Sequence, residues 1–177
     1  MYLSRFSSQA LAAQTISANT WTLAAAVKES DANAESITIA SIYVYRPSTS
    51  AVVGFVYDSD TALGVEYTTS EDGQVYSLSG SAVTAQNGDI LVLEYWVHST
   101  QLLALGYTNT LYFDGTTNVV DSTTTDAASY LKTPQVLTFS TNCDGCNLNI
   151  QQNQGWIFSL IPMTETYSIK EREGIDR

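Results

Sequence analysis

Apolar and polar side chains alternate along this chain with a period of two, the rhythm of pleated strands and not of helices. Trp21, Leu23, Ala25 and Val27 share one face of the first clear strand. Ile37, Ile39, Tyr43 and Tyr45 share a face of the next, with Ile42 and Val44 opposite. The same reading predicts strands over 52–57, 74–79, 90–97, 103–113, 135–140, 148–151 and 156–161, rich in Val, Ile, Thr, Tyr and Phe. Turn chemistry separates them: Arg46-Pro47-Ser48, Asp58-Ser59-Asp60, Glu71-Asp72-Gly73, Gln86-Asn87-Gly88-Asp89, Asp114-Gly115 and Asp144-Gly145. Asn-Gly and Asp-Gly pairs supply the positive φ that tight hairpins need. Strand 90–97 is apolar on both faces, which predicts a central position with its outer face covered. Tyr95 and Trp96 then point to opposite sides, one inward and one toward a neighbour. Helix is predicted only over 7–14 and as a single turn at 125–130. The fold class expected is all-β: an antiparallel β-sandwich, jelly-roll-like, with about nine strands and minimal helix. Its expected parts are an N-terminal arm (1–16), the sandwich (17–166) and a charged extension (167–177), where Lys170, Glu171, Arg172, Glu173, Asp176 and Arg177 crowd together.

At 177 residues the chain is long enough to bury one substantial core. With 44% hydrophobic and 14% charged residues it is neither a disordered chain nor a coiled coil. Seven Lys and Arg against 18 Asp and Glu give a formal charge of −11, which repels phosphate backbones, so nucleic acid is not expected as a partner. No apolar run is long enough to span a bilayer as a helix, so no membrane partner is expected. The first 14 residues lack the continuous apolar stretch of a secretory signal, and none is expected.

Candidate chemistry is sparse. His98, the only histidine, ends strand 90–97 with no nucleophile elbow nearby and reads as a surface or rim residue. Glu94 interrupts an apolar strand. It reads as a carboxylate satisfied by Lys28, Arg46 or Lys132, whereas glycoside hydrolysis requires a second carboxylate facing it. Asp58, Asp60, Glu71 and Asp72 place acidic oxygens in loops, a low-weight calcium candidate. Ala62, Leu63 and Thr69 break the EF-hand pattern there, and solvated turns are the favoured reading. Cys143 and Cys146 flank a turn, as two thiols or as a local disulfide clamp; zinc needs four ligands, and no second pair exists. No catalytic residues, metal centre or cofactor are expected. Eleven tyrosines and three tryptophans are many for this length. Tyr67, Tyr76, Tyr112 and Trp156 lie near strand ends or turns as candidates for stacking on glycans or burial between subunits, with core filling the favoured reading for any one of them.

Five segments carry a resemblance: WTLAAAVKES (21–30), IYVYRPST (42–49), GDILVLEYW (88–96), YFDGTT (112–117) and TTTDAASYLKTPQ (123–135). They resemble β-sandwich virion structural proteins of tailed bacteriophages, of decoration or tail type, over most of 17–139. The resemblance implies a non-enzymatic role on the particle exterior, as a capsid decoration (cement) protein or a tail or head–tail accessory subunit. Its implied partners are further copies of the chain and the major capsid or tail proteins. Residues 142–177 lie outside the resemblance and read as a docking element. A carbohydrate-binding module or adhesin recognising host-surface glycans is the alternative, and a hydrolase using Glu94 the weakest reading.

Overall fold

The computed structural model describes residues 2–59, 61–99, 107–112 and 129–140. Asp60, Cys143, Cys146, Trp156, the strands predicted at 148–151 and 156–161, and the charged extension lie outside the described residues. Ten strands follow in order: β1 (Tyr2–Ala10), β2 (Gln14–Ile16), β3 (Thr20–Glu29), β4 (Ser36–Arg46), β5 (Ala51–Asp58), β6 (Asp72–Ser79), β7 (Val83–Ala85), β8 (Ile90–Ser99), β9 (Asn109–Tyr112) and β10 (Tyr130–Lys132). All their pairings are antiparallel. One sheet runs β1-β8-β4-β5, the second β10-β3-β6, and β2 pairs with β7. β9 and β10 lie end to end on one edge of β3, against Ala26–Glu29 and Thr22–Ala24. Ser129 joins them: its hydroxyl accepts from the Ala26 N–H at 3.0 Å and donates to the Tyr112 carbonyl.

Apart from the β4–β5 hairpin, the long strands cross from one sheet to the other. The course β3, β4, β6, β8, β9 alternates sheets at every step. Both sheets contribute to a single buried cluster, so the architecture is an antiparallel, jelly-roll-like β-sandwich. Trp21, Leu23, Ala25 and Val27 all face inward from β3, as their spacing predicts.

Two expectations change. The segment expected as an arm, with helix over 7–14, is instead β1 and β2, and β1 is an integral strand hydrogen-bonded along β8. Its Ala, Leu and Gln favour helix in isolation, but burial of Phe6 and the β8 ladder outweigh a propensity of a few tenths of a kcal/mol per residue. Residues 135–140 form no strand beyond a single bridge from Phe139 to Leu11. Of the turn expected over 125–130 only Ser129 and Tyr130 are among the described residues, and Tyr130 opens β10.

The inward face of β4 is the less apolar one. Ser36, Thr38 and Ala40 point into the sandwich beside Ile42 and Val44. Thr38 is compensated by three tyrosines: its hydroxyl lies 2.9 Å from Tyr67, 2.7 Å from Tyr76 and 2.6 Å from Tyr95, with Tyr67 and Tyr95 2.8 Å apart. Gln74 fixes the direction of these bonds. Its amide nitrogen donates to the Val65 and Glu66 carbonyls, so its oxygen accepts from Tyr76. Each hydroxyl has one proton, so Thr38 donates to Tyr76, and of the two protons on Tyr67 and Tyr95 one serves the bond between them and the other is donated to Thr38. Tyr67 and Tyr76, candidates for exposed contact aromatics with core filling as the favoured reading, are 2% and 5% exposed and belong to the core. Burial pushes all three phenols above their ordinary pKa and keeps them neutral hydrogen-bonding groups.

At the end of β3, Glu29 is 1% exposed. One carboxylate oxygen accepts from the Ser36 N–H at 3.1 Å, while the other oxygen and the Ser36 hydroxyl have no hydrogen-bond partner among the described residues. Burial pushes this carboxyl above its ordinary 4.5; the hydrogen bond from the Ser36 N–H opposes the shift, and Glu66 and Asp31 add to it. Ionising Glu29 therefore opposes folding, and the cost appears as pH rises above 4.5 through the raised folded value. Glu29→Gln removes that cost and adds a donor for Ser36. The variant is expected to be about 1 kcal/mol more stable than wild type at pH 7, with the gap closing on acidification. Urea melts at several pH values check this; equal stability at pH 7, or a gap that widens in acid, contradicts it.

Candidate interaction face

Strand register lays the outward side chains of the four-stranded sheet in rows. The central row reads Arg5, Glu94, Ser41, Asp58 from β1 to β5. On one side of it lie Trp96 with Ile39, then His98 with Ile37. On the other lie Ser7, Val92, Tyr43 and Phe55, then Ile90, Tyr45 and Val52. One charged row thus divides two apolar bands. A solvated sheet face ordinarily carries polar residues. Here Ile37, Ile39, Tyr45, Ile90 and Trp96 are half-buried and Val92 and Tyr43 are buried, while Phe55 and Val52 are 44% and 47% exposed. The Tyr43 and Phe55 rings meet edge-to-face, with centroids 5.6 Å apart and planes at 63°.

The charged row is internally ordered. The Arg5 guanidinium donates to Glu94 through Nε at 2.8 Å and also through Nη2. Tyr43 donates its hydroxyl proton to the same carboxylate oxygen at 2.9 Å, and Ser41 donates to Asp58 at 2.7 Å. Glu94 is satisfied as expected, but by Arg5 from 89 residues away. Of the partners anticipated for it, Arg46 pairs with Asp89 and Lys28 lies 5.8 Å from the centroid of the Tyr112 ring.

The other sequence candidates are scattered. His98 is exposed, and it stands four residues along β8 from Glu94, about 13 Å at strand spacing. Asp58 ends β5 in one sheet while Asp72 opens β6 in the other, with Glu71 just before it. Among the described residues no three His, Cys, Asp or Glu side chains gather to hold a metal ion. Tyr112 is half-buried against Ala24 and Ala26, whose outward side chains are covered. Sequence reasoning missed Arg5, Ile39 and Phe55 as surface features. The available signal was the doubly apolar pattern of β4 and β8, which left one apolar face unassigned.

No family model matches the chain, nor does any curated protein or solved structure.

Proposed function

We propose that this chain is a non-enzymatic structural subunit that works by surface association through the outer face of its four-stranded sheet. The observation that carries this reading is the pair of apolar bands on that face, half-buried along β4 and β8 and exposed at Phe55 and Val52, because apolar surface gathered on one face marks interaction sites. The bacteriophage resemblance supplies the setting: the exterior of a tailed-phage particle, as capsid decoration protein or as tail or head–tail accessory subunit, in contact with further copies of itself and with major capsid or tail proteins. Phe55→Lys tests it, since Phe55 is exposed and its replacement leaves the core intact. Particles from the phage that encodes this chain are expected to carry the wild-type subunit and to lose most of the variant, as quantified by mass spectrometry of purified particles. Equal incorporation of the two, or particles without the chain, would sink this reading.

A carbohydrate-binding module or adhesin is the second reading, favoured by one arrangement. Half-buried Trp96 neighbours a carboxylate held by Arg5 and Tyr43, so a stacking surface adjoins fixed hydrogen-bonding groups. Glycan-array binding by the wild type, lost in Trp96→Ala and unaccompanied by particle association, would favour it.

A further inference from the structure

Resting on the surface-association reading, we propose that the partner of this face is the same face of a second copy, related by a two-fold axis parallel to the strands, so that Arg5 of each copy meets Asp58 of the other. The axis runs between β8 and β4 and carries β1 over β5 and β8 over β4 at unchanged height along the strands. Arg5 and Asp58 occupy opposite ends of one row, so each cation faces an anion twice. The same operation sets Trp96 over Ile39 and Ile90 over Tyr45, apolar against apolar, brings the buried Val92 and Tyr43 into register, and places Ser7 over Phe55 and His98 over Ile37 at the margins. A two-fold axis in the sheet plane and across the strands also superimposes the bands, but it places Arg5 over Arg5 and Asp58 over Asp58. Charge therefore selects the first operator.

Net charge and area agree with a second copy. The chain carries −11 overall, yet the central row holds one arginine and two acids, a net of −1, so two such faces approach with little repulsion. With strands about 4.8 Å apart and residues about 3.4 Å along them, four strands over the span from Ile37 to Tyr45 present about 500 Å². Two copies would bury about 1,000 Å², the lower bound for a specific interface and the range of reversible association. The isologous arrangement is closed, so assembly stops at two through this surface.

Sedimentation velocity on the full chain, over a micromolar to millimolar series, tests the proposal. Wild type is expected to show a reversible monomer–dimer equilibrium. Asp58→Arg alone and Arg5→Asp alone are each expected to weaken dimerisation roughly tenfold or more, because each places like charges opposite one another twice. An equimolar mixture of the two variants is expected to dimerise again, since both cross-pairs in the mixed dimer are arginine with aspartate. Phe55→Lys is expected to weaken dimerisation whatever the charges. Circular dichroism melts establish that each variant is folded; if Arg5→Asp is not, Asp58→Arg and Phe55→Lys decide. A wild type that stays monomeric overturns the proposal while leaving particle incorporation to stand or fall by itself. A dimer that persists in Phe55→Lys and Asp58→Arg uses another surface and overturns it too. A mixture that stays monomeric, with both variants folded, overturns the two-fold placement.

Discussion

Asp89→Ala is expected to cost about 3 kcal/mol of folding stability and to lower the melting temperature by about 6–12 °C. Asp89 is 1% exposed. Its two carboxylate oxygens each accept from the Arg46 guanidinium at 2.8 Å, and one also accepts from the Gln86 N–H at 2.7 Å. Its backbone ties down the same corner: its carbonyl accepts from the Leu11 N–H at 2.7 Å, and its N–H donates to Gln86 at 3.1 Å. Gly88, at φ 93°, makes the turn and donates to the Leu11 carbonyl. One aspartate thus joins the end of β4, the start of β8 and the exit from β1. Alanine leaves the guanidinium and the Gln86 N–H without their acceptor, a larger loss than removal of an exposed pair.

The Arg46 hydrogen bonds hold the Asp89 carboxyl below its ordinary 3.8, with the Gln86 N–H helping and burial opposing. A lowered folded pKa contributes stability that is present above the ordinary value and is lost as pH falls through the folded one. The gap between wild type and Asp89→Ala is therefore full at pH 7 and shrinks in strong acid. Urea melts across that range measure it. A gap under about 1 kcal/mol at neutral pH, or one that widens in acid, would refute this account.

Thr38→Val is expected to cost about 2–3 kcal/mol, or about 5–10 °C in melting temperature. Valine matches threonine in shape and suits a strand, so the loss isolates the hydroxyl. Without it, Tyr67 and Tyr95 keep each other, but one of their protons has no acceptor in the core, and Tyr76 retains only Gln74. Linked buried hydroxyls lose more than one average bond when the middle member goes. Thr38→Ser keeps the oxygen and is expected to lose less than half as much. A valine variant as stable as wild type would show that the three phenols find other partners.

The anchor of β8 was readable in part. Asn87-Gly88-Asp89 announces a turn, but nothing in the sequence connects it with Arg46 or Leu11, which reach it only through the sheets. Likewise Glu94 declares itself as a carboxylate in an apolar strand needing a cation. Three lysines and arginines were plausible by composition, and the β1–β8 register chose Arg5. Tyr67 has no strand pattern around it, and its burial follows from its N–H donating to the Ser36 carbonyl, which draws the segment after β5 alongside β4.

The sequence by itself determined the all-β class and which residues share a face, because a two-residue period and Gly-Asp-Asn turns leave a chain little choice but pleated strands. Only the tertiary structure decided which face of β4 turns inward. By hydrophobicity the side with Ile37, Ile39, Tyr43 and Tyr45 has the better claim, yet the side with Ser36 and Thr38 is buried. The phenols of Tyr67, Tyr76 and Tyr95 converge there from other segments and satisfy the threonine. Periodicity sorts side chains into two sets, but which set is interior depends on partners that neighbouring strands bring from elsewhere in the chain.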